Sequence, residues 1–180
     1  MTDVTGSPFE GRLVRLRAVE EDDLVWINRE FWNPNVTRTL MAVWPESLAG
    51  TRAWWEATRA HDPGPFAIEV MEDGRPVGVC SIEGLDARSR SAVLGIWLAE
   101  ASWDQGFGTD AVRTACRSAF REMNLQRIAL SVYDINPRAQ RAYEKVGFVE
   151  EGRRRRAAFV DGEYRDVIEM ALLAEDLVGR

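Results

Sequence analysis

The most constraining feature of the sequence is a buried strand that leads through a glycine turn into a helix. The run Ala92–Leu98 is apolar and contains several large aliphatic residues, which predicts a buried strand. From Thr109 to Met123, apolar residues recur at helical spacing. Gly106 and Gly108 stand between the two elements, where they let the backbone bend sharply and let a ligand approach closely. The chain is therefore predicted to present the open N-terminus of a helix at the end of a central strand.

This helix start is a candidate binding site for an anion. Backbone N–H groups in the first turn of a helix have no partner within the helix, and the helix dipole favours negative charge there. A phosphate or a pyrophosphate is therefore the expected ligand. The turn lacks the Lys-Ser/Thr ending of a P-loop and the third glycine of a dinucleotide fingerprint, which disfavours both of those sites. The residues whose backbone can form the cradle are Gln105, Gly106, Phe107, Gly108 and Thr109.

A second stretch, Asn136–Phe148, combines an Asn-Pro helix start with a tyrosine and a glycine helix end. Together the two stretches resemble the acetyl-CoA site of the GNAT superfamily of N-acetyltransferases. Within it, the sequence is most similar to the branch that acetylates the N-terminal residue, such as alanine, of ribosomal proteins. The resemblance is strongest from about Val93 to Leu173 and is weaker but collinear from Arg12 onward.

The order of predicted elements indicates an α+β fold in one domain over residues 1–180, of which residues 1–10 are expected to be a flexible arm. A strand and early helices precede three antiparallel strands, a helix, a strand, a helix and two final strands. Asp-Gly pairs at Asp73 and Asp161 predict hairpin turns. The prediction is a mixed, mostly antiparallel sheet with helices on both faces. The resemblance adds a twisted sheet whose central strand pair splays apart.

Coenzyme A carries a pyrophosphate, two pantetheine amides and a thioester, so its site needs more than an anion cradle. Buried amides need hydrogen-bond partners, and the end of the central strand, at Trp97 and Leu98, is the candidate edge for them. A β-bulge near this point is expected to open the gap. The resemblance implies that Asn136 touches the cofactor near the pantetheine, although a role as helix cap alone explains this residue as well. Trp103 departs from the family pattern, which has Arg or Gln at this position, although aromatic residues are usual in the N-terminal-acetylating branch.

Proton transfer needs a donor for the leaving thiolate and an acceptor for the proton of the amine. Tyr143 lies about two turns into the helix that follows the gap, and its phenol is protonated at neutral pH. The resemblance implies the same role of acid, and packing in the core is the alternative for this residue. Glu83, at the end of a strand near the pocket mouth, is the candidate base, and Glu100 is a weaker one. A chain of water molecules is the alternative to a single base.

The acceptor side is predicted less sharply. Trp32 and Trp44 lie among the early helices, where the resemblance places the acceptor pocket, but packing in the core explains them as well. Arg141 and Lys145 can meet the 3′-phosphate of coenzyme A or simply face solvent. The run Arg153–Arg156 is expected to form a solvated strand edge paired with carboxylates, with a place near the acceptor or at a dimer surface as the alternative.

Composition excludes several other classes of protein. A net charge of −6 and a pI near 5.0 argue against a nucleic-acid surface. No apolar run of membrane-spanning length and no signal pattern occur, so neither a membrane partner nor export is expected, and the predicted location is cytoplasmic. Cys80 and Cys116 are isolated, which disfavours a disulfide framework. His61 is the only histidine, so a metal site or a Ser-His-Asp hydrolase is not expected.

We therefore expect an N-acetyltransferase that uses acetyl-CoA as co-substrate and a primary amine as acceptor, by direct attack in a ternary complex. A protein N-terminus, a polyamine or another small amine all fit. One alternative is a binding module that senses acyl-CoA without turnover, which Tyr143 disfavours. Another is a transferase for a longer acyl chain. The resemblance also raises a homodimer as an expectation.

Overall fold

The computed structural model of the protein describes residues 7–40, 42, 44–60 and 63–179. Within that part of the chain, seven strands form one sheet: β1 (Val14–Ala18), β2 (Phe66–Val70), β3 (Pro76–Asp86), β4 (Ser91–Leu98), β5 (Arg127–Tyr133), β6 (Val149–Val160) and β7 (Glu163–Leu173). The α-helices are α1 (Leu24–Phe31), α2 (Pro34–Thr37), α3 (Leu48–Thr58), α4 (Phe107–Glu122) and α5 (Pro137–Glu144). Short 3₁₀ turns occupy Glu21–Asp23, Glu100–Ser102 and Ala174–Asp176.

The sheet has the strand order β1-β2-β3-β4-β5-β7-β6, and every neighbouring pair is antiparallel except β4 and β5. The larger core lies on one face, where residues of α4 and Tyr143 of α5 pack on alternate residues of the strands. A smaller core lies on the opposite face, where α1 and α3 cover Ala67 and Val79. The predicted α+β sheet with helices on both faces is confirmed.

The central parallel pair of strands separates after a short contact. Ser91–Val93 of β4 pairs with Arg127–Ala129 of β5, and beyond these residues β4 stays beside β3 while β5 stays beside β7. The expected splayed pair is therefore present. The predicted bulge beside Trp97 and Leu98 is wrong, because the register of β3 and β4 is regular there and shifts only between Glu83 and Asp86. The gap opens where the two strands part to follow different neighbours.

The helices that border this gap begin as the sequence predicts. Gly106 precedes α4 with φ +86°, a left-handed conformation that glycine adopts without the strain of a side chain. Asn136 precedes α5, and its side-chain oxygen accepts a hydrogen bond from the backbone N–H of Ala139 at 3.2 Å, with Pro137 at the first helical position. Both helices therefore start at the wide end of the gap.

Residues 7–10, which belong to the arm expected from the sequence, are anchored to α4. The hydroxyl of Ser118 donates to the carbonyl oxygen of Pro8 at 2.6 Å, and the guanidinium of Arg117 donates to the carbonyl oxygens of Pro8 and Glu10. The rest of that arm, residues 1–6, lies outside the described residues, as does His61.

Candidate active site

A cavity of about 370 Å³ occupies the gap between β4 and β5. Its lining comes from both faces of the sheet: Val112 of α4 and Tyr143 of α5 on one side, and Val36 of α2 with Thr39 and Leu40 on the other. Residues from both faces of the sheet therefore border the same cavity.

The open N-terminus of α4 stands at one end of this cavity. In the described part of the chain, no backbone N–H group of residues 105–109 donates a hydrogen bond to another residue. Gly106, Gly108 and Thr109 line the cavity directly. An added Cβ at Gly108 would lie 3.5 Å from Cδ1 of Leu98, so the absence of a side chain keeps this end of the cavity clear. The arrangement fits a bound diphosphate.

Two predicted members of the cradle do not line the cavity. The side chain of Gln105 is exposed and donates from Nε2 to the carbonyl oxygen of Ala101 at 2.7 Å. The ring of Phe107 is buried in the core beneath the guanidinium of Arg75. Only their backbone N–H groups are available to a ligand.

Positive charge lies beside the cradle on one face of α5. Arg138, Arg141 and Lys145, which are three and four residues apart, all line the cavity. The guanidinium carbon of Arg138 lies 3.5 Å from the ring centroid of Trp103, whose indole N–H donates to the carbonyl oxygen of Leu98 at 3.0 Å. Burial lowers the pKa of Arg138. Arg138 is not among the residues predicted from the sequence, although its helical spacing from Arg141 and Lys145 is the signal that points to it.

The unpaired edge of β4 forms one wall of the cavity. Trp97 and Leu98 line it as predicted, and Leu94, Gly95 and Ile96 extend the wall toward the narrow end of the gap. The ring of Trp97 is supported from α1, where Trp26 stacks at 5.9 Å and Phe31 meets it edge-on at 5.3 Å between centroids. Asn136 also lines the cavity, at its wide end.

Tyr143 is the tyrosine that α5 places in the cavity, and only 8% of it is exposed. Its hydroxyl makes no hydrogen bond to any residue that the structure describes. Burial raises the pKa of Tyr143 to about 12, so the phenol stays protonated at neutral pH. Tyr133 of β5 also lines the cavity, and burial raises its pKa, although the charge of Arg154 opposes this rise.

The two candidate bases have different surroundings. Glu83 is exposed and is not part of the lining, but its Oε1 accepts a hydrogen bond from the hydroxyl of Ser81 at 2.6 Å. A Cβ added at Gly95, which does line the cavity, would lie 2.9 Å from Oγ of Ser81 and 4.0 Å from Oε1 of Glu83. Ser81 therefore occupies the space that a side chain at Gly95 would need, and the carboxylate of Glu83 lies next to Ser81, close to the lining of the cavity.

Glu100 binds the first turn of α2 through both of its carboxylate oxygens. Its two carboxylate oxygens accept hydrogen bonds from the side-chain amides of Asn33, at 2.9 Å, and Asn35, at 2.7 Å. These contacts join the end of β4 to the segment that covers the acceptor side of the gap. The geometry therefore gives Glu100 a structural task.

Neither Trp32 nor Trp44 lines the cavity. Trp44 is 80% exposed, and Trp32 packs edge-on against Phe31 with ring centroids 5.1 Å apart. The reason is the cap of α2: the side chain of Asn33 accepts from the backbone N–H of Asn35 at 2.9 Å and turns the chain into the helix. The residues that face the cavity consequently come one to two turns later, at Val36, Thr39 and Leu40.

Three of the four consecutive arginines of β6 have identified partners. Arg153 pairs with Glu150, Arg154 pairs with Glu169 of β7 at 2.6 Å, and the guanidinium of Arg156 lies 4.9 Å from the ring centroid of Tyr164. The expected strand edge with partner carboxylates is present.

Other reactive groups lie away from the cavity. Cys80 and Cys116 are buried free thiols outside the lining, and burial raises the pKa of Cys80 to about 12 and that of Cys116 further. Among the described residues, no group of three His, Cys, Asp or Glu side chains is arranged to hold a metal ion. In the same part of the chain, no helix is both long and apolar enough to cross a membrane.

Comparison with known proteins agrees with this geometry. The family model described as the acetyltransferase (GNAT) domain matches residues 13–149. Spermidine N(1)-acetyltransferase of Vibrio cholerae is 31% identical over 170 residues, which cover 92% of this chain and 95% of that protein. The crystal structure of spermidine N-acetyltransferase from Vibrio cholerae in complex with CoA and spermine superposes with a TM-score of 0.83 at 29% identity, over 91% of this chain and 97% of that one.

A further relative, YdaF of Bacillus subtilis (strain 168), has a name that provisionally describes a ribosomal N-acetyltransferase. It is 32% identical over 110 residues, which cover 61% of this chain and 60% of that protein, so the match spans less than two thirds of its length. The similar proteins thus include both ribosomal and polyamine acetyltransferases by name.

Proposed function

The chain belongs to the GNAT family of acetyltransferases, and on that premise we propose that it transfers the acetyl group of acetyl-CoA to a primary amine by direct attack in a ternary complex. The observation that carries the proposal is the row of unpaired N–H groups at residues 105–109, which stands at the open end of the unpaired edge of β4. One element suits a diphosphate and the other suits an extended arm that carries amides.

The residues of the cavity divide the binding of acetyl-CoA among them. The N–H groups of residues 105–109 bind the diphosphate, the edge of β4 at Trp97 and Leu98 holds the pantetheine, and Asn136 contacts the arm at the wide end of the gap. The cationic face of α5 binds the remaining phosphate. When bound, acetyl-CoA supplies an activated thioester at the narrow end of the cavity.

Two side chains move the protons. Tyr143 donates its phenolic proton to the thiolate as the C–S bond breaks, since burial keeps that proton in place at neutral pH. Glu83 takes a proton from the amine, directly or through a water molecule, from its place near Gly95. Among the described residues Glu83 makes no ion pair, so its charge is available to an incoming ammonium group.

The residues that border the gap opposite the cofactor indicate the class of acceptor. Thr39 and Leu40 leave an opening opposite the cofactor, and Glu83 adds negative charge at its rim. This arrangement suits an unhindered primary amine, which can belong to a polyamine or to a protein N-terminus. The name of the Vibrio cholerae relative refers to the polyamine spermidine, and the name of YdaF refers to ribosomal N-acetylation. We further propose that the chain is a single domain, that it is cytoplasmic, and that neither nucleic acid nor a membrane is a partner. A homodimer remains an expectation, which light scattering can check.

Thiol release tests the proposal. The protein is incubated with acetyl-CoA and a panel of spermidine, a short peptide with a free N-terminus and the same peptide with a blocked N-terminus, and free CoA is followed with a thiol reagent. We expect release with at least one free amine and none with the blocked peptide. Binding of CoA without release by any acceptor contradicts transfer and supports the acyl-CoA sensor. A parallel series replaces acetyl-CoA with a longer acyl-CoA, and release in that series alone supports the transferase for longer chains.

A further inference from the structure

A hydrogen-bonded chain of three side chains borders the gap on the side of α2. The hydroxyl of Ser131 on β5 donates to Oε2 of Glu169 on β7 at 2.7 Å, and Nε of Arg154 on β6 donates to Oε1 of the same carboxylate at 2.6 Å. Ser131 lines the cavity, whereas Glu169 and Arg154 stand behind it. None of the roles assigned above uses these three residues.

The direction of Ser131 follows from the alternation of side chains along β5. Leu130 and Val132 point into the core beneath α4 and α5, so Ser131 points to the opposite face, where the acceptor enters. Val93 of β4 and Ala129 of β5 are the last paired residues before the two strands separate. Two residues further along each strand are Gly95 and Ser131. Ser131 therefore stands across the gap from Gly95, close to which the carboxylate of Glu83 lies.

The chain of hydrogen bonds fixes the polarity of the Ser131 hydroxyl. A carboxylate only accepts hydrogen bonds, so the proton of Ser131 is committed to Glu169. Arg154 holds the other carboxylate oxygen and keeps Glu169 in place. The lone pairs of Oγ are left facing away from Glu169, and they can only accept a hydrogen bond. The matching group on a ligand is an N–H donor, which a primary amine retains while its lone pair attacks.

We propose that Ser131 is a positioning residue that accepts a hydrogen bond from the attacking amine of the acceptor, and that Glu169 and Arg154 act through it. The proposal rests on the function proposed above. The acceptor arrives as an ammonium group and first gives one proton, through Glu83 or water, to solvent. The neutral nitrogen keeps one N–H on Ser131 while it forms its bond to the acyl carbon and the C–S bond breaks. The thiolate takes a proton from Tyr143, and the second proton that the nitrogen loses passes through water to restore Tyr143.

The first test compares two substitutions of Ser131. Ser131→Ala removes the hydroxyl, and we expect kcat/KM for the acceptor to fall about tenfold while the Kd for CoA stays within about twofold. Ser131→Thr keeps the hydroxyl and should restore most of the activity. Because Ser131 is exposed, both variants should unfold at the wild-type temperature in a thermal melt. Rescue by threonine is a result that a general loss of structure does not give.

The second test asks whether Glu169 and Arg154 act through Ser131. Glu169→Gln and Arg154→Ala should each lower kcat/KM for the acceptor severalfold in the wild-type background and have no further effect in the Ser131→Ala background, since groups that act as one unit are not additive. Glu163→Gln, at an exposed carboxylate at the start of β7, is the matched control and should leave kcat/KM unchanged.

The outcomes separate the two proposals. A wild-type protein that releases no thiol with any amine overturns transfer and, with it, the role of Ser131. An active wild-type protein whose kcat/KM is unaffected by Ser131→Ala overturns only the role of Ser131. Additive losses in the double variants show that Glu169 and Arg154 act independently and overturn the chain of contacts as a unit.

Discussion

The two sides of the gap are built on different principles. On the cofactor side, backbone N–H groups and one helix face come from two continuous stretches, residues 103–109 and 136–145. On the acceptor side, the contributing side chains come from α2 and the residues after it, from β3 and from three strands beyond the gap, which lie far apart in the sequence. A site made of backbone groups and helix termini suits a cofactor that stays the same when side chains are substituted. A site made of scattered side chains can be altered by substitutions to accept a different ligand without a change of fold.

The largest effect that tests this contrast is expected from Gly108→Glu. The new side chain projects toward Leu98 and places a carboxylate where the diphosphate binds, so charge repulsion and steric filling act together. We expect no measurable binding of CoA by isothermal titration calorimetry and no thiol release.

Two control variants isolate the cause. Gly152→Glu adds the same charge on β6, where an added Cβ has no atom within 4 Å, and it should bind CoA normally. Gly108→Ala puts a Cβ at an ordinary contact distance of 3.5 Å from Leu98 and should fold and retain weaker binding. Normal CoA binding by Gly108→Glu would show that the diphosphate binds elsewhere.

Tyr143→Phe is expected to give the next largest effect, confined to the chemical step. Removing the phenolic proton should lower kcat about 100-fold, while the Kd for CoA should be unchanged because the role proposed for the hydroxyl is confined to the leaving thiolate. Because burial raises the pKa of Tyr143 to about 12, the wild-type phenol stays protonated as the pH rises, so the ratio of wild-type to variant kcat should be constant from about pH 7 to about pH 10. The measurement is a pH series of thiol release at saturating acetyl-CoA.

Tyr133→Phe is the matched control, because Tyr133 lines the same cavity from β5. If Tyr133→Phe rather than Tyr143→Phe abolished turnover, the acid would have been assigned to the wrong tyrosine. A ratio that falls between pH 8 and pH 10 would instead mean that the phenol ionises near its ordinary pKa, which its burial argues against.

The same contrast explains what the sequence could and could not predict. The strand before Gly106, the helix after it and the Asn136 cap follow from hydrophobic spacing and from local capping rules, so they are visible in one chain. The cavity-facing places of Thr39 and Leu40 depend on how distant segments meet. No periodic pattern within 31–45 predicts them, because the chain direction there is set by Asn33 and its contact to Glu100, which is 67 residues away. The alternation along β5 gives the face on which Ser131 lies, but its contact to Glu169 joins residues 38 positions apart.

The aromatic residues of that segment illustrate the limit. Trp32 and Trp44 stand out in the sequence, yet a large side chain next to a proline can lie on the outer surface of a short helix as readily as in a cavity. Trp97, in contrast, lines the cavity because its position is fixed by the strand that also carries Leu98. The aromatic residues that matter near the gap are those whose neighbours are set by a regular element.

The smallest expected effect tests the acceptor side directly. Leu40→Ala shortens a side chain that lines the cavity, so it should raise KM for the acceptor about fivefold through lost apolar contact, with the Kd for CoA unchanged. Trp44→Ala removes a larger side chain that is 80% exposed and outside the lining, so KM should change less than about twofold. Steady-state kinetics with the best amine of the panel measure both. If Trp44→Ala had the greater effect, the acceptor would approach over the outer surface of this segment. The acceptor side of the site would then include Trp44 as well as the residues that line the cavity.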